Sequence, residues 1–546
     1  MPERFRILHL AASDTGGPGH AAARIHSGLF ALDQDSSLLV KKQTRKGSGV
    51  YEANVDLPIN LRETASAFEI FQHWYLDHNR TPASNSNFTL SESGLDLEKH
   101  PLVEDAEIIH LHSVTRFLSP AALARLASLG KPVVWTLHDH RPFTGGCHFP
   151  GACSRYRTTC SNCPQLGWDP YFLTEGQLGD ALELIPARRI TFVAPTEFLA
   201  NKARESAFLR NSRIDVIPYG VDPRVFQVKW KPQAKSHLGL DTNAVHLLFV
   251  ANQLGEARKG FEHLAKAIQI CLSRPRFNER ADKGEIALIS LGHPHPSLSS
   301  LGIPYVSLGH IESPEEMSQL YGAADLFLLP SLEENLPNTL LEAMSCGTPA
   351  VAFGAGGIPE VIVQDETGKI VPVEGHADFA LMIEDLVRDE NLRMRMAENC
   401  RQTVVERFTL QLQAERYLAL YRELMRGLPR IPSKYDAFGF GPGNDFKVTK
   451  LAPIGARLQQ ICADSLPKPL LKCLIEMDRQ LASNETELHT LKNFLEVQQR
   501  TIEELQTELA DQKGALRERE TTILRQNQIL GSGRVKMLRA LKLISK

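Results

Sequence analysis

Two glutamates and a pair of cations are the residues of this 546-residue chain whose types and spacing could do chemistry. Glu334 and Glu342 lie in ADLFLLPSLEENLPNTLLEAMSCGTPAVAFGAGGIPE, residues 324–360. An apolar run ends at Pro330, a polar loop follows, and Pro337 marks a helix start, where proline suits the first helical position. A fresh helix N-terminus offers unpaired N–H groups and a positive dipole end to a diphosphate. A carboxylate accepts two hydrogen bonds at once, so it matches a vicinal diol on a sugar or a ribose. Two glutamates flanking one anion site can hold the two sugar rings of a nucleotide-sugar. Their spacing alone carries no weight among 64 acidic residues; the surrounding residues decide.

The cations are Arg258 and Lys259, followed by Gly260 at a helix start in LLFVANQLGEARKGFEHLAKAI. Two positive side chains beside a helix N-terminus suit a pyrophosphate leaving group, whose charge grows as the glycosidic bond breaks. Near the start of the chain, Gly16 and Gly17 in DTGGPGHAAARI permit close backbone approach at another helix N-terminus. Histidines end two apolar runs of the first half: His110 and His112 in IIHLHS, and His138 with Asp139 and His140 in VVWTLHDH. Four cysteines, Cys147, Cys153, Cys160 and Cys163, fall within 17 residues. In a reducing compartment they read as a tetrahedral metal site, structural zinc first. Two disulfides or an unmetallated thiol cluster stay open as alternatives. The stretch lacks the interleaved basic and aromatic residues of a nucleic-acid module.

The elements that must position these groups alternate apolar strands with amphipathic helices. Strands are expected at Arg6–Leu10, Ile108–His112, Val133–Leu137, Ile190–Ala194 and Ile214–Pro218. A second set is expected at His246–Val250, Ile286–Leu291, Tyr305–Ser307, Leu326–Leu329 and Ala350–Phe353. Continuous apolar strands between helices argue for doubly wound parallel sheets. Ten strands exceed one comfortable sheet, and the set divides near the polar, proline-containing segment VDPRVFQVKWKPQAK. The fold class expected is α/β, two Rossmann-like doubly wound domains plus a C-terminal coiled-coil helix. Residues 1–225 form the first domain, with a Cys-rich loop at 147–163, and residues 226–407 form the second. Residues 408–426 form a further helix and 427–469 a Gly/Pro-rich linker.

From Leu474 to Leu530 an aliphatic residue recurs every seventh position, with polar residues at several of the intervening core positions. This predicts a coiled coil over 470–530 and a homo-oligomer. Residues 531–546 read as a basic amphipathic tail suited to an anionic membrane surface, or as a frayed end. Net charge is -3, which gives no global attraction to nucleic acid. No apolar run approaches the roughly 18–20 residues that span a bilayer, and the N-terminus lacks a signal-peptide pattern. The expected compartment is therefore the cytoplasm, with peripheral contact at the inner face of the membrane.

The segment from Ser331 to Glu360 resembles the Glu-x7-Glu motif of retaining GT-B glycosyltransferases of family 4. Glu334, Glu342, Ala343, Met344, Gly347, Thr348 and Pro349 match, as do Gly356, Gly357, Pro359 and Glu360 downstream. The resemblance implies that Glu334 contacts the donor sugar and supports the transition state, and that Glu342 binds the donor ribose. Asn335, which stands where the family usually has Gly, and Leu336 belong to the same donor-binding stretch. It further implies a phosphate clamp at Arg258 and Lys259, although Leu254 replaces a frequent family arginine. The same resemblance implies that Gly16 and Gly17 face the donor phosphates, that His138 makes a donor-sugar or transition-state contact, that residues 1–225 are the acceptor domain and 226–407 the nucleotide-sugar domain, and that the helix 408–426 crosses back to the first. The Cys-bearing stretch resembles a bacterial subgroup acting in exopolysaccharide or O-antigen assembly. The reaction implied is transfer of a hexosyl unit from an NDP-sugar to a glycan or lipid-linked acceptor, without a catalytic divalent metal. A catalytically decayed GT-B scaffold acting through its coiled coil, or an NDP-sugar epimerase of the same fold, are the rival readings.

Overall fold

The computed structural model describes residues 3–426 except 45–46, 54, 57–75, 77–78, 85–86, 91–94, 168, 170–171, 254 and 294–297, together with residues 428 and 446–447. The chain divides into two compact units, Met1–Leu458 and Gln459–Lys546. The second unit, with the coiled coil and basic tail expected at 470–546, lies outside the described residues, as do almost all of the linker and Leu254.

Strands without a polar face can be stable only when both faces are covered, which is the condition met in parallel α/β sheets. The first half of the chain satisfies it. Its strands are β1 (Arg6–Ser13), β2 (Asp35–Lys42), β3 (Val50–Glu52), β4 (Ile108–Leu111), β5 (Val133–Thr136), β6 (Ile190–Ala194) and β7 (Arg213–Val216). Every residue of β4, β5 and β6 is buried. They form one seven-stranded sheet in the order β3-β2-β1-β4-β5-β6-β7, with every neighbouring pair parallel. The second half repeats the plan with β8 (Val245–Gln253), β9 (Ile286–His293), β10 (Tyr305–Ser307), β11 (Leu326–Leu329), β12 (Ala350–Phe353) and β13 (Gly368–Val371). This sheet has six parallel strands in the order β10-β9-β8-β11-β12-β13.

All ten strands expected from the sequence are present, with ends displaced by a few residues; β2, β3 and β13 are additional, as is a separate two-stranded parallel pair, Val55–Asp56 with Phe446–Lys447. In each sheet the strand order reverses at the first strand, between β1 and β4 and between β8 and β11. Ligands in such sheets bind outside the carboxyl ends of the strands that flank the reversal. The chemistry-bearing segments leave the sheets at these ends.

Helices cover both sheets. Those used below are α1 (Gly16–Ala31), α2 (Glu197–Glu205), α3 (Phe261–Leu272), α4 (Pro314–Ala323), α5 (Asn338–Ser345) and α6 (Leu410–Met425). Helix α6 crosses back to the first sheet: Ala414, Tyr417, Leu418 and Tyr421 share a buried cluster with Phe5, Ile7, Ile25 and Val134. Burial of two tyrosines demands partners for their hydroxyls. Tyr417 pairs with Thr136 Oγ1 at 2.7 Å and Tyr421 with His110 Nδ1 at 2.6 Å. The last described helix therefore completes the core of the first domain. Among the described residues no helix is long and apolar enough to cross a membrane.

Candidate active site

Glu334 sits in the loop after β11 and is buried. Lys259 Nζ donates to its Oε1 at 2.5 Å, Arg258 Nη1 lies 3.0 Å from the same oxygen, and Ser331 Oγ donates at 3.3 Å. Burial alone would raise its pKa; the Lys259 and Arg258 charges and hydrogen bonds overcome that and hold the carboxyl down at about 2. The loops that meet here can do so because two positions lack a side chain. Gly260 has φ +75° and Gly356 φ +58°, both in the left-handed region. A Cβ on Gly260 would collide with the Pro330 carbonyl oxygen, and one on Gly356 with that of Glu334.

The two cations are not equivalent. Arg258 is nearly spent on protein acceptors: Nε and Nη2 reach Glu256 Oε1 at 3.1 and 3.0 Å, and Nη1 reaches the Glu333 carbonyl at 2.9 Å. Its guanidinium also stacks over the Phe149 ring, 4.1 Å from the centroid. Lys259 keeps 22% of its side-chain exposure against 8% for Arg258, so Lys259 is the cation freer to meet a ligand.

Glu342 lies one turn into α5 and is buried. Its Oε2 accepts from Tyr321 Oη at 2.9 Å, and its Oε1 pairs with Arg24 of α1. Helix α5 starts at Asn338, one residue later than the sequence reading, and neither α5 nor α1 has a side-chain cap. Their first N–H groups are thus left for another acceptor. The two helix starts approach each other, Asn338 Nδ2 lying 3.5 Å from the Gly17 carbonyl. Gly16, with φ +72°, opens α1.

Asn335 joins the domains directly. Its side chain accepts from Thr196 Oγ1 at 2.7 Å and donates to the His138 carbonyl at 3.0 Å. Glu360 adds a second tie, accepting from the Glu197 and Phe198 amides at 2.8 Å each at the start of α2. Leu336 packs with Leu340 and Leu341 in the core of the second domain, so any donor contact it makes is through its backbone.

His138 is buried with both ring nitrogens engaged: Nδ1 with Tyr219 Oη at 2.6 Å and Nε2 with His112 Nδ1 at 3.2 Å. His112 Nε2 continues to His9 Nδ1 at 2.9 Å. Burial pushes the His138 pKa down to about 4 against the opposing Asp139 charge, so the ring is neutral at physiological pH. The part of His138 turned to the opposite domain is its carbonyl, through Asn335.

The four cysteines of the loop are free thiols lining one cavity with Phe88, Tyr156 and Thr174. Gly145 N–H donates to Cys160 Sγ at 3.2 Å, and burial pushes that thiol up to about 12. The sulfurs are not drawn together at metal-ligand spacing; among the described residues that spacing is met by the buried trio His9, His110 and His112.

The structure thus brings Glu334, Arg258 and Lys259 into contact, ties Asn335 to the first domain, and places Glu342, Gly16 and Gly17 at two facing helix starts. The cysteines form a separate cluster. Arg24, Tyr321, Thr196 and Tyr219 are site residues that the sequence reading missed. Each is remote in sequence from the partner it serves, so no local motif marks it.

Comparison with known proteins finds likenesses in both domains. Residues 88–225 match the family described as Glycosyltransferase Family 4, and residues 305–403 match Glycosyl transferases group 1. A D-inositol 3-phosphate glycosyltransferase of Arthrobacter sp. (strain FB24) is 31% identical over 208 residues, 36% of this chain and 49% of that protein. The chain spans about half the length of the curated relatives it matches. Among solved structures, sucrose-phosphate synthase from Thermosynechococcus elongatus superposes with a TM-score of 0.54 at 18% identity, over 77% of this chain and 99% of that one. HepE of Anabaena in complex with UDP-glucose gives a TM-score of 0.50 at 16% identity, over 76% and 99%. The chain is therefore a two-domain α/β protein of the GT-B architecture, similar to Glycosyltransferase Family 4 over residues 88–225 and to Glycosyl transferases group 1 over residues 305–403.

Proposed function

We propose that the chain is a glycosyltransferase that takes a hexosyl unit from a nucleotide-sugar and passes it to a glycan or lipid-linked acceptor, with retention of anomeric configuration. The observation that carries this reading is the convergence of Lys259 and Arg258 on the buried Glu334, beside two uncapped helix starts. Transfer breaks the bond between the anomeric carbon and the diphosphate oxygen, which keeps the electron pair. The acceptor oxygen forms the new bond to the same carbon, and its proton leaves with the diphosphate. Charge therefore grows on the leaving group, and preorganised donors aimed at developing charge are the strongest device a site has. Lys259, Arg258 and the N–H groups of α5 and α1 supply them. Glu334 stays ionised beside the electron-poor sugar carbon, and Glu342 takes the ribose diol.

The same reading assigns the remaining features. The chain works on the cytoplasmic side of a membrane in surface polysaccharide assembly and self-associates through the heptad segment 470–530. A structural zinc at Cys147, Cys153, Cys160 and Cys163 would require their sulfurs to close around the cavity as thiolates. Metal analysis of purified protein tests this: one zinc per chain supports it, and zinc-free, fully stable protein rules it out.

The function itself is tested by incubating the full chain with a panel of nucleotide-sugars and following nucleoside diphosphate release, with and without a crude lipid-linked acceptor fraction. Release from one donor, accelerated by acceptor, is expected, and the anomeric signal of the product gives the stereochemistry. No release from any donor would contradict the reading. Conversion of the donor to its epimer, without transfer, would replace it.

A further inference from the structure

Arg24 is the charged residue of the cleft that the reading above leaves unexplained. It lies on α1 in the first domain, and its Nη2 pairs with Glu342 Oε1 on α5 of the second. Its guanidinium lies over the Phe226 ring, 5.6 Å from the centroid. Its other terminal nitrogen, Nη1, is buried and has no hydrogen-bond partner among the described residues. A buried donor left unpaired carries the full desolvation cost of its group, and more when it is charged. Native folds rarely keep such a group without a reason. An ion pair alone does not require it, since a lysine would satisfy Glu342 with one ammonium. What arginine adds is a planar fork that can hold one acceptor on each terminal nitrogen.

The surroundings indicate what the second acceptor is. Glu342 is fixed at both oxygens, by Arg24 and by Tyr321. Helices α1 and α5 present uncapped starts to each other at Gly17 and Asn338. This wall holds one arginine lacking an acceptor and two sets of amides suited to anionic oxygens. A nucleoside diphosphate set against Glu342 brings oxygens to all of them.

We propose that Arg24 is a donor-binding residue supplied by the opposite domain. Its Nη1 donates to an oxygen of the nucleoside diphosphate while Nη2 keeps Glu342 oriented toward the ribose. Bound nucleotide then bridges α1 and α5, so affinity for the donor is coupled to closure of the cleft. This rests on the donor-site reading given under Proposed function.

The test is calorimetric titration of UDP, GDP, ADP and dTDP into the full-length protein, then titration of the tightest of them into Arg24→Met and Arg24→Lys. Methionine keeps the apolar stem over Phe226; lysine keeps the ion pair but loses the second nitrogen. Both variants are expected to weaken binding, Arg24→Met by about tenfold or more, the loss of one charge-assisted hydrogen bond. Glu342→Gln and the double variant Glu342→Gln with Arg24→Met separate contact from positioning. A ligand contact makes the double variant weaker than Glu342→Gln alone. If the two bind equally, Arg24 acts only on Glu342 and the proposal falls. Arg24→Lys carries the test if Arg24→Met melts early. Variants that bind within about twofold of wild type, well below the loss of one hydrogen bond, overturn the role of Arg24 alone. A wild-type protein that binds none of the four nucleotides overturns the donor site as well.

Discussion

Replacing Lys259 with methionine separates a catalytic clamp from a structural ion pair, because the two roles predict opposite outcomes. Glu334 is held at about 2 against an ordinary value of 4.5. At 1.36 kcal/mol per pKa unit this is a net stabilisation of about 3 kcal/mol after burial has been overcome. Two cations share it, at 2.5 and 3.0 Å. Lys259 is partly exposed, so solvent screens its share, and Arg258 stays to neutralise the carboxylate. The stability cost of Lys259→Met is therefore about 1–2 kcal/mol, less than the 3–5 kcal/mol of leaving a buried charge unpaired. Turnover should suffer far more. Removing one preorganised donor from a developing oxyanion typically costs about 10²–10³-fold in kcat. Thermal melting and nucleoside diphosphate release, measured on the same preparation, give both numbers. A variant that melts several degrees lower yet turns over at a third or more of the wild-type rate would refute the clamp and leave only a structural ion pair.

Three further outcomes are expected, two from the geometry and one from the heptad pattern. Asn335→Ala removes both cross-domain hydrogen bonds and leaves the buried His138 carbonyl without that donor; a loss of about 1–3 kcal/mol is expected, and an unchanged melting midpoint would contradict it. Acid should destabilise the protein in two windows. Burial lowers His138 and His140 from 6.5 to about 4, so between those values the unfolded chain binds more protons and stability falls as pH drops below 6.5, by up to about 1.4 kcal/mol per pH unit per histidine. Glu334, held at about 2, adds its loss only as pH falls from 4.5 toward 2; a denaturation midpoint flat from pH 7 to 5 would contradict the histidine part. Deleting residues 470–546 should convert an oligomer to a monomer in sedimentation, and an unchanged mass would refute self-association through that segment.

What the sequence made legible follows from how local each signal is. Strands such as Leu326–Leu329 and Ala350–Phe353 are apolar from end to end, and buried parallel strands have no other pattern. The strands that escaped are less apolar. Asp35–Lys42 carries charges at both ends, Val50–Glu52 lies at the sheet edge, and Gly368–Val371 opens on glycine and lysine. Glu334 and Lys259 could be read because the strand, loop and helix start around each are contiguous. Arg24 and Tyr321 could not. Both serve Glu342 from elements 318 and 21 residues away, a distance at which no periodicity or motif operates. His138 was legible as a strand-end histidine, but its ring is committed to Tyr219 and His112. Only the packing of the sheet against the chain at 219 reveals that. The cysteine spacing was visible, whereas the separation of the sulfurs in the fold was not.

Amide hydrogen exchange of the full chain, with and without the nucleoside diphosphate it binds, tests the central claim most directly. Protection is expected together at residues 258–262, 332–342 and 15–19, the three segments proposed to build one anion site from both domains. Protection confined to other segments, or to only one of these three, would show that the groups do not share a ligand.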